Sequence, residues 1–150
     1  NPPTVAFSVV NRRDGSKKDT ILNLEATPEL VVNVVSFDQR VEMNASSAEL
    51  PYETNEFEAC GVATAPSARV RPPRVAGSRV QLECDVHQIV RIGEGPLAAN
   101  LVIARILLMH VDDAIRTPDG RIDPRALDTI GRMGGIGYAR TTDLFDLPRP

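Results

Sequence analysis

The sequence predicts a mainly β domain, an antiparallel barrel or a sandwich, with a few short helices. Apolar and polar residues alternate at Val5–Val10 and again over eight positions at Val80–His87, as in strands with one buried face. The candidate helices are short, and turns rich in proline or glycine separate the segments. Strands at such short spacing fit either a barrel or a sandwich, and full closure into a barrel would leave no exposed strand edge.

Length and composition fit one globular domain. The chain has 150 residues, of which 42% are hydrophobic and 25% are charged, and these are ordinary values for a folded domain. A formal net charge of −3 gives no general attraction to nucleic acid or anionic lipid, so we expect neither as a partner. The longest apolar run, Leu101 to Met109, contains Arg105 and is too short to span a membrane. Cys60 and Cys84 lack the spacing of a metal site, so we expect no metal, and as free thiols they fit a reducing cytoplasm.

The first strand leads into a cationic segment, residues 12–20, which reads Arg-Arg-Asp-Gly-Ser-Lys-Lys-Asp-Thr and holds the only two lysines of the chain. Asp14-Gly15 is a favoured hairpin turn, so we expect a second strand to leave through Thr20 and Ile21, with the cations on the hairpin tip. Such a tip can bind a phosphate, since its cations supply charge-assisted hydrogen bonds and Thr20 adds a hydroxyl donor. Equally, the charges could serve only to keep an exposed edge solvated.

Capping residues indicate two short helices in the first half of the chain. Thr27-Pro28 is typical of a helix start, but the β-branched residues 31–35 predict that a strand follows after one helical turn. Asn55 is expected to cap a second short helix that ends near Gly61.

Longer segments follow in the second half. The alternation of Val80–His87 predicts one buried and one solvated face, with His87 on the solvated face. Leu101–Val111 could be a doubly buried strand or a buried helix, and its Val, Ile and Leu content favours the strand. Asp123-Pro124 predicts a last helix that continues through about Ile130.

Few side chains could carry chemistry by themselves. The glycine-rich residues 131–138 lack the frame of a Rossmann fingerprint or a P-loop, so a helix C-terminus followed by a tight turn is the simpler interpretation. His110 could pair with Asp112 or Asp113, although a histidine at a strand end is more often a hydrogen-bonded structural residue. Neither a Ser-His-Asp order nor an HExxH pattern is present, so a cofactor would have to supply any demanding chemistry.

Six short motifs occur in a fixed order along nearly the whole chain: Asn1-Pro2-Pro3, Lys18-Asp19-Thr20-x-x-Asn23, Asn55-Glu56-Phe57, Leu82-Glu83-Cys84, His110-Val111-Asp112 and Arg132-x-Gly134-Gly135-x-x-Tyr138. Together they resemble the flavin reductase-like family of FMN-binding split barrels. The resemblance implies a homodimeric antiparallel split barrel that holds FMN near the dimer interface. It also implies hydride transfer from NAD(P)H to flavin, with free flavin or a partner oxygenase as the electron acceptor.

The resemblance also implies which residues hold the cofactor. Lys18 and its neighbours match the FMN phosphate-binding region, and the C-terminal motif is expected to line the flavin or nicotinamide region. Asp19 cannot attract a phosphate, so we expect it to orient Lys18 or to accept from backbone amides at the turn. The expected cofactor-binding residues are Ser16, Lys17, Lys18, Asp19, Thr20, Arg132, Gly134 and Tyr138.

Two departures from the family pattern accompany the resemblance. Residues 1–150 are expected to form a single split-barrel domain without the family's N-terminal segment, which helps to form the flavin pocket. Ala104-Arg105 stands where the family usually has a glycine and a charged residue, which could alter the approach of the backbone to the flavin. The leading hypothesis is an FMN-binding oxidoreductase of the flavin reductase type. The alternatives are a non-catalytic or structural flavoprotein that holds FMN without turnover, and a module that serves only for interaction.

Overall fold

The computed structural model describes all 150 residues, and its centre is a four-stranded antiparallel sheet with the order β1-β6-β5-β2. The sheet contains β1 (Thr4–Val10), β2 (Glu29–Asn33), β5 (Val80–Ile92) and β6 (Ala99–Val111). Two small hairpins contain β3 (Thr64–Ala65) with β4 (Arg74–Val75) and β7 (Ile130–Gly134) with β8 (Gly137–Arg140). The helices are α1 (Asp19–Ala26), α2 (Arg40–Ala45), α3 (Glu56–Ala59) and α4 (Pro124–Leu127). The predicted mainly β fold with short helices is confirmed.

The long β5–β6 hairpin gives the sheet two distinct ends. At its turn end, the connection at residues 93–98 joins the strands, and the last residue of β1, Val10, lies opposite Ala99. At its open end, the last residue of β2, Asn33, lies opposite Gln81. Strands of 13 residues separate these ends by roughly 40 Å.

Helix α1 covers one face of the sheet. Ile21 and Leu24 lie three positions apart, on the same side of the helix, and both are buried. They pack against Val102 of β6 and form the centre of the hydrophobic core. The partly buried side chains around this centre are Phe7, Val9, Leu30, Val86 and Ile89.

The opposite face of the sheet, called the outer face below, carries apolar side chains that this chain leaves uncovered. Alternate residues of β6 from Leu101 to Met109 point away from the core, and the side chains of Leu107 and Met109 are 45% and 50% exposed. The strand at 101–111 is confirmed, but within one chain it is buried on one face only. An antiparallel sheet face that meets water normally carries polar residues. On the outer face the ion pair of Arg105 with Asp85 meets this expectation, whereas Leu107 and Met109 form an exposed apolar surface.

The predicted hairpin strand after Asp14-Gly15 is wrong. Gly15 does adopt a positive φ of 86°, as a tight turn requires, and its N–H donates to the carbonyl of Arg12 at 3.0 Å. The chain then enters α1 instead of a strand, because Ile21 and Leu24 bury their side chains at helical spacing against the sheet.

Residues that begin or end helices account for the remaining differences between the predicted and the observed helices. The helical turn predicted at Thr27-Pro28 is absent, since Pro28 follows the end of α1 and the residue before a proline disfavours helix; the chain passes directly into β2. The Asn55 cap is confirmed, and its Oδ1 accepts from the N–H of Phe57 at 3.1 Å. Helix α4 ends earlier than predicted, because Asp128 adopts a left-handed φ of 52° and the glycine-rich residues form the β7–β8 hairpin instead.

None of the helices has the length and apolar character needed to cross a membrane.

Candidate functional site

The loop between β1 and α1 is fixed against the turn end of the β5–β6 hairpin. The N–H of Asn11 donates to the carbonyl of Ala98 at 2.9 Å, and its Nδ2 donates to the carbonyl of Gly95 at 3.1 Å. Buried Asn100 in turn donates from Nδ2 to Asn11 Oδ1 at 2.9 Å. These bonds hold the loop that carries the cationic segment against the turn end of the hairpin.

Ion pairs engage Arg12 and Lys17, two of the four cations of this segment. Arg12 Nη2 lies 2.8 Å from Asp19 Oδ1, and this hydrogen bond raises the pKa of the Arg12 guanidinium. Lys17 Nζ lies 2.7 Å from both oxygens of Glu25, which also accepts from Arg91 at 2.7 Å. Hydrogen bonds from Lys17 and then Arg91 hold the pKa of Glu25 below its ordinary value. Asp19 was expected to orient Lys18 or to accept from backbone amides at the turn. Both expectations are wrong, because its carboxylate pairs with Arg12.

Ser16 closes the turn instead of facing the start of the helix. Its N–H and its hydroxyl both donate to Asp14 Oδ1, at 2.8 and 2.6 Å. The hydroxyl bond, followed by the backbone bond, lowers the pKa of the Asp14 carboxyl. In this arrangement Ser16 stabilises the loop through Asp14.

The start of α1 retains hydrogen-bond donors without a partner in the chain. Lys18 is the N-cap residue, in an extended conformation, and its exposed side chain makes neither a capping bond nor an ion pair. The hydroxyl of Thr20 and the backbone N–H groups of Asp19 and Thr20 likewise donate to no group of the protein. The first N–H groups of a helix carry partial positive charge, so three consecutive residues offer an ammonium, a hydroxyl and two amides to an anion. Such a set matches a phosphate.

The C-terminal motif forms the β7–β8 hairpin. Arg132 donates from Nε and Nη2 to the carbonyl of Gly135, at 3.2 and 2.9 Å, and its cross-strand partner is Tyr138. Gly134 is the last residue of β7, next to the turn at residues 135–136, and has a φ of 108°. The hairpin is joined to the open end of the sheet through the carbonyl of Val35, so the three predicted residues lie near one another there.

One chain does not bring the two predicted groups of residues together. Lys18 and Thr20 lie at the turn end, whereas Arg132 and Tyr138 lie at the open end, with the length of β5 between them. Cavities of about 550 Å³ and 320 Å³ also lie toward the open end, and Tyr138 lines the smaller one. No three His, Cys, Asp or Glu side chains are grouped as a metal site requires.

Sequence reasoning missed an ion pair that supports the C-terminal hairpin. Arg140 binds the carboxylate of Asp128 through Nε and Nη2, at 2.7 and 2.6 Å, and this contact lowers the pKa of Asp128. The same guanidinium lies 4.0 Å from the ring centroid of Phe37. Two arginines separated in sequence, Arg40 and Arg140, thereby share one aromatic ring.

The polar side of β5 is buried near the open end, contrary to prediction. Gln81 and Glu83 are 4% and 0% exposed, because residues 63–79 fold over them. The prediction is right farther along the strand, where His87 is exposed. Irregularities in the β5–β6 register after Glu83 and after Val86 interrupt the simple alternation.

Glu83 is the centre of a second group of contacts that the sequence did not predict. Its carboxylate accepts from the N–H groups of Ala68 and Arg69, at 2.9 and 2.6 Å, and lies 2.5 Å from His110 Nε2. Burial opposes ionisation of Glu83, but these hydrogen bonds together outweigh it and leave its pKa below the ordinary value. The favoured interpretation of His110 as a hydrogen-bonded residue agrees with this contact. The alternative pairing with Asp112 or Asp113 does not form, since Asp112 accepts from the N–H of Ala114 and Asp113 from Arg116.

The antiparallel sheets with few short helices agree with a domain of the split-barrel class. A family model described as flavin reductase like domain matches residues 1–127, and the chain belongs to this family. The predicted family and split-barrel fold are confirmed.

Relatives and solved structures agree with this assignment. The chain is 40% identical to an uncharacterised protein of Halalkalibacterium halodurans over 152 aligned residues, which cover 99% of this chain and 72% of the relative. It is similar to the structure of nitrilotriacetate monooxygenase component B from Bacillus cereus, with 29% identity and a TM-score of 0.89 over 97% of this chain and 72% of the other. A split-barrel-domain structure from Shewanella frigidimarina matches with 25% identity and a TM-score of 0.84, over 99% and 72% of the two chains.

Proposed function

We propose that this protein is an FMN-binding oxidoreductase of the flavin reductase type, which transfers hydride from NAD(P)H to flavin. The observation that carries the proposal is the set of unpaired donors at the start of α1, in a chain that belongs to the flavin reductase-like family.

The residues at the start of α1 fit the phosphate of FMN. Lys18 supplies a positive charge, Thr20 a hydroxyl donor, and the N–H groups of Asp19 and Thr20 the two remaining hydrogen bonds. Arg12, Lys17 and Asp19 hold the loop in place through their ion pairs. The side chains that would bind the phosphate are therefore those without a partner in the protein, which need not break an ion pair to bind it.

Bound FMN would supply the redox chemistry by accepting a hydride, so no side chain is required as a nucleophile. The task of the protein is to hold the phosphate and so to fix where the rest of the cofactor lies against the nicotinamide. Neither of the two cavities adjoins the start of α1. Contacts to the flavin ring would then come from a second copy of the chain.

A homodimer completes the proposed site. The outer face of the sheet offers an apolar surface for a second copy, with Leu107 and Met109 at its exposed part. In one chain Arg132 and Tyr138 are too far from Lys18 to contact the same FMN, so they would reach the cofactor bound by the partner. Each site would therefore use the phosphate-binding loop of one chain and the β7–β8 hairpin of the other.

Two further parts of the proposal concern the setting of the reaction. The similarity to a monooxygenase component B supports transfer of electrons to a partner oxygenase. The two free cysteines, Cys60 and Cys84, support a location in the reducing cytoplasm.

The first test is the visible spectrum of the purified protein with added FMN, followed by anaerobic addition of NADH or NADPH. Bound yellow flavin that is bleached by either nucleotide is the expected result. Bound flavin that neither nucleotide reduces would favour the non-catalytic flavoprotein. A protein that binds no FMN would refute the proposal and favour an interaction module.

A further inference from the structure

The smaller cavity, of about 320 Å³, lies between two parts of the chain that hydrogen bonds hold together. One wall comes from residues 37–44, and the other is the β7–β8 hairpin. The N–H of Phe37 donates to the carbonyl of Asp128 at 2.9 Å, and the hydroxyl of Ser36 donates to the carbonyl of Leu127 at 2.7 Å. These bonds fix the two walls before a ligand arrives, which lowers the cost of binding.

Most of the lining of this cavity is apolar or aromatic. The apolar lining consists of Phe37, Met43, Ile130, Ile136 and Ala139. Sites for small molecules are usually lined in this way, with a few polar groups that fix the orientation of the ligand. The volume lies at the lower end of the range for such sites, so it suits a ligand with a single ring.

Three polar side chains of the lining have hydrogen-bond donors that the protein does not use. Arg40 forms no ion pair, and only its Nη1 is engaged, with the carbonyl of Phe37 at 2.9 Å. The side-chain amide of Asn44 and the hydroxyl of Tyr138 make no hydrogen bond within the chain. Arg40 and Asn44 lie four positions apart on α2, and therefore on the same side of the helix. Donors from the helix and from the hairpin thus meet at one cavity.

The uncompensated charge at this cavity is positive. None of its lining residues is acidic. The second arginine of the lining, Arg140, is bound to Asp128 through two hydrogen bonds, so these two charges offset each other. Asp38 and Glu42, the acidic residues nearest to Arg40 in sequence, line the larger cavity instead. Arg40 therefore keeps a positive charge for a ligand.

We propose that this cavity binds a small aromatic carboxylate, with the carboxylate at Arg40 and the ring among the apolar side chains. The planar guanidinium matches the two oxygens of a carboxylate, and Asn44 and Tyr138 can donate to the same group. The ring of the ligand would contact Met43 and Ile130. The proposed function brings the same hairpin to the flavin of the partner, so a ligand in the cavity would lie near the cofactor. Only this last consequence rests on the proposed function.

Titration of the purified protein with benzoate, without added FMN, tests the site. The backbone amide shifts of residues 40, 44 and 138 are followed by NMR, and saturable changes at these three positions are expected. Benzamide has the same ring and nearly the same shape without the charge, so it is the matched control ligand. It should bind about tenfold more weakly, since a hydrogen bond to a charged group at an exposed site contributes at the lower end of its range.

Arg40→Gln should lower the benzoate affinity about tenfold, because it removes the charge, and should leave the benzamide affinity unchanged. Arg40→Lys should restore part of the benzoate affinity, since it keeps the charge but not the planar fork. Arg121→Gln is the matched control variant. Arg121 is also exposed, but it pairs with Asp119 outside the cavity, so this variant should behave as the wild type.

The proposal is overturned if benzoate binding does not saturate, if benzamide binds equally well, or if Arg40→Gln keeps the full benzoate affinity. The first two results come from the wild-type protein, so they decide the question even if the variant does not fold. Shifts confined to the start of α1 would place the carboxylate at the loop proposed to bind phosphate, and would equally overturn it. Because the titration needs no FMN, a failure of the flavin proposal would leave its result unaffected.

Discussion

The double substitution Lys18→Ala with Thr20→Val should weaken FMN binding roughly 100-fold without unfolding the protein. Both side chains are exposed and make no hydrogen bond or ion pair within the chain, so their removal costs the fold little. A hydrogen bond to a charged group contributes about 1.5 kcal/mol at the lower end of its range, which suits an exposed site. Two such bonds give about 3 kcal/mol, or about two orders of magnitude in Kd. The backbone N–H groups of residues 19 and 20 remain and should preserve weak binding.

The assay is a titration of FMN followed by flavin fluorescence, repeated with riboflavin, which has the same ring system without the phosphate. Wild-type protein should prefer FMN over riboflavin, and the double variant should lose this preference while its riboflavin affinity stays unchanged. Lys17→Ala is the matched control, because Lys17 is bound to Glu25 and should contribute less to the phosphate. Equal FMN affinity in the wild type and the double variant would refute the assignment and leave these charges as a solvated loop.

Three further predictions concern stability and assembly. In a urea titration, Ile21→Ala should lower the free energy of unfolding by about 3 kcal/mol, because Ile21 is fully buried under the sheet. The control Leu22→Ala, at a neighbouring side chain that is 38% exposed, should lower it by about 0.5 kcal/mol. Glu83→Gln should cost about 3 kcal/mol near neutral pH. Because the folded-state pKa of Glu83 is lowered, its stabilisation is complete above the ordinary carboxyl range and is lost as the pH falls through that lowered value, so the difference from wild type should shrink in acid. Leu107→Glu on the outer face should convert the proposed dimer to a monomer by light scattering; a variant that stays dimeric would place the interface elsewhere.

Local patterns were sufficient where one short segment determines its own structure. The alternation at Val5–Val10 and Val80–His87 identified two strands, and Asn55 identified a helix start. They failed at Asp14-Gly15, where the local turn was recognised but the following segment became a helix. The burial of Ile21 and Leu24 against the sheet determines that this segment is helical. The residues of the turn give no information about this tertiary contact.

The sequence predicted which residue types form the candidate site. It did not predict which of their charged side chains are ion-paired and which are free. Lys17 and Lys18 are adjacent in sequence, yet only Lys17 has a carboxylate partner, Glu25, which in turn is held by Arg91 from 66 positions away. The Glu83–His110 contact likewise depends on the pairing of β5 with β6, which sets His110 opposite Gln81 and Glu83 opposite Leu108. Such pairings follow from topology, which periodicity along a single strand does not specify.

Topology also relates the two separated groups of the site to the uncovered face of the sheet. Twofold contacts join a surface to its own copy. A twofold axis that lies between two outer faces and runs perpendicular to the strands would bring the β5–β6 hairpins of two chains together in antiparallel directions. The turn end of each chain would then lie near the open end of the other. Lys18 and Thr20 of one chain would thereby approach the β7–β8 hairpin of its partner, and the same contact would bury Leu107 and Met109. Such a symmetric arrangement would account both for the exposed Leu107 and Met109 and for the separation, within one chain, of the proposed phosphate-binding loop from the C-terminal motif.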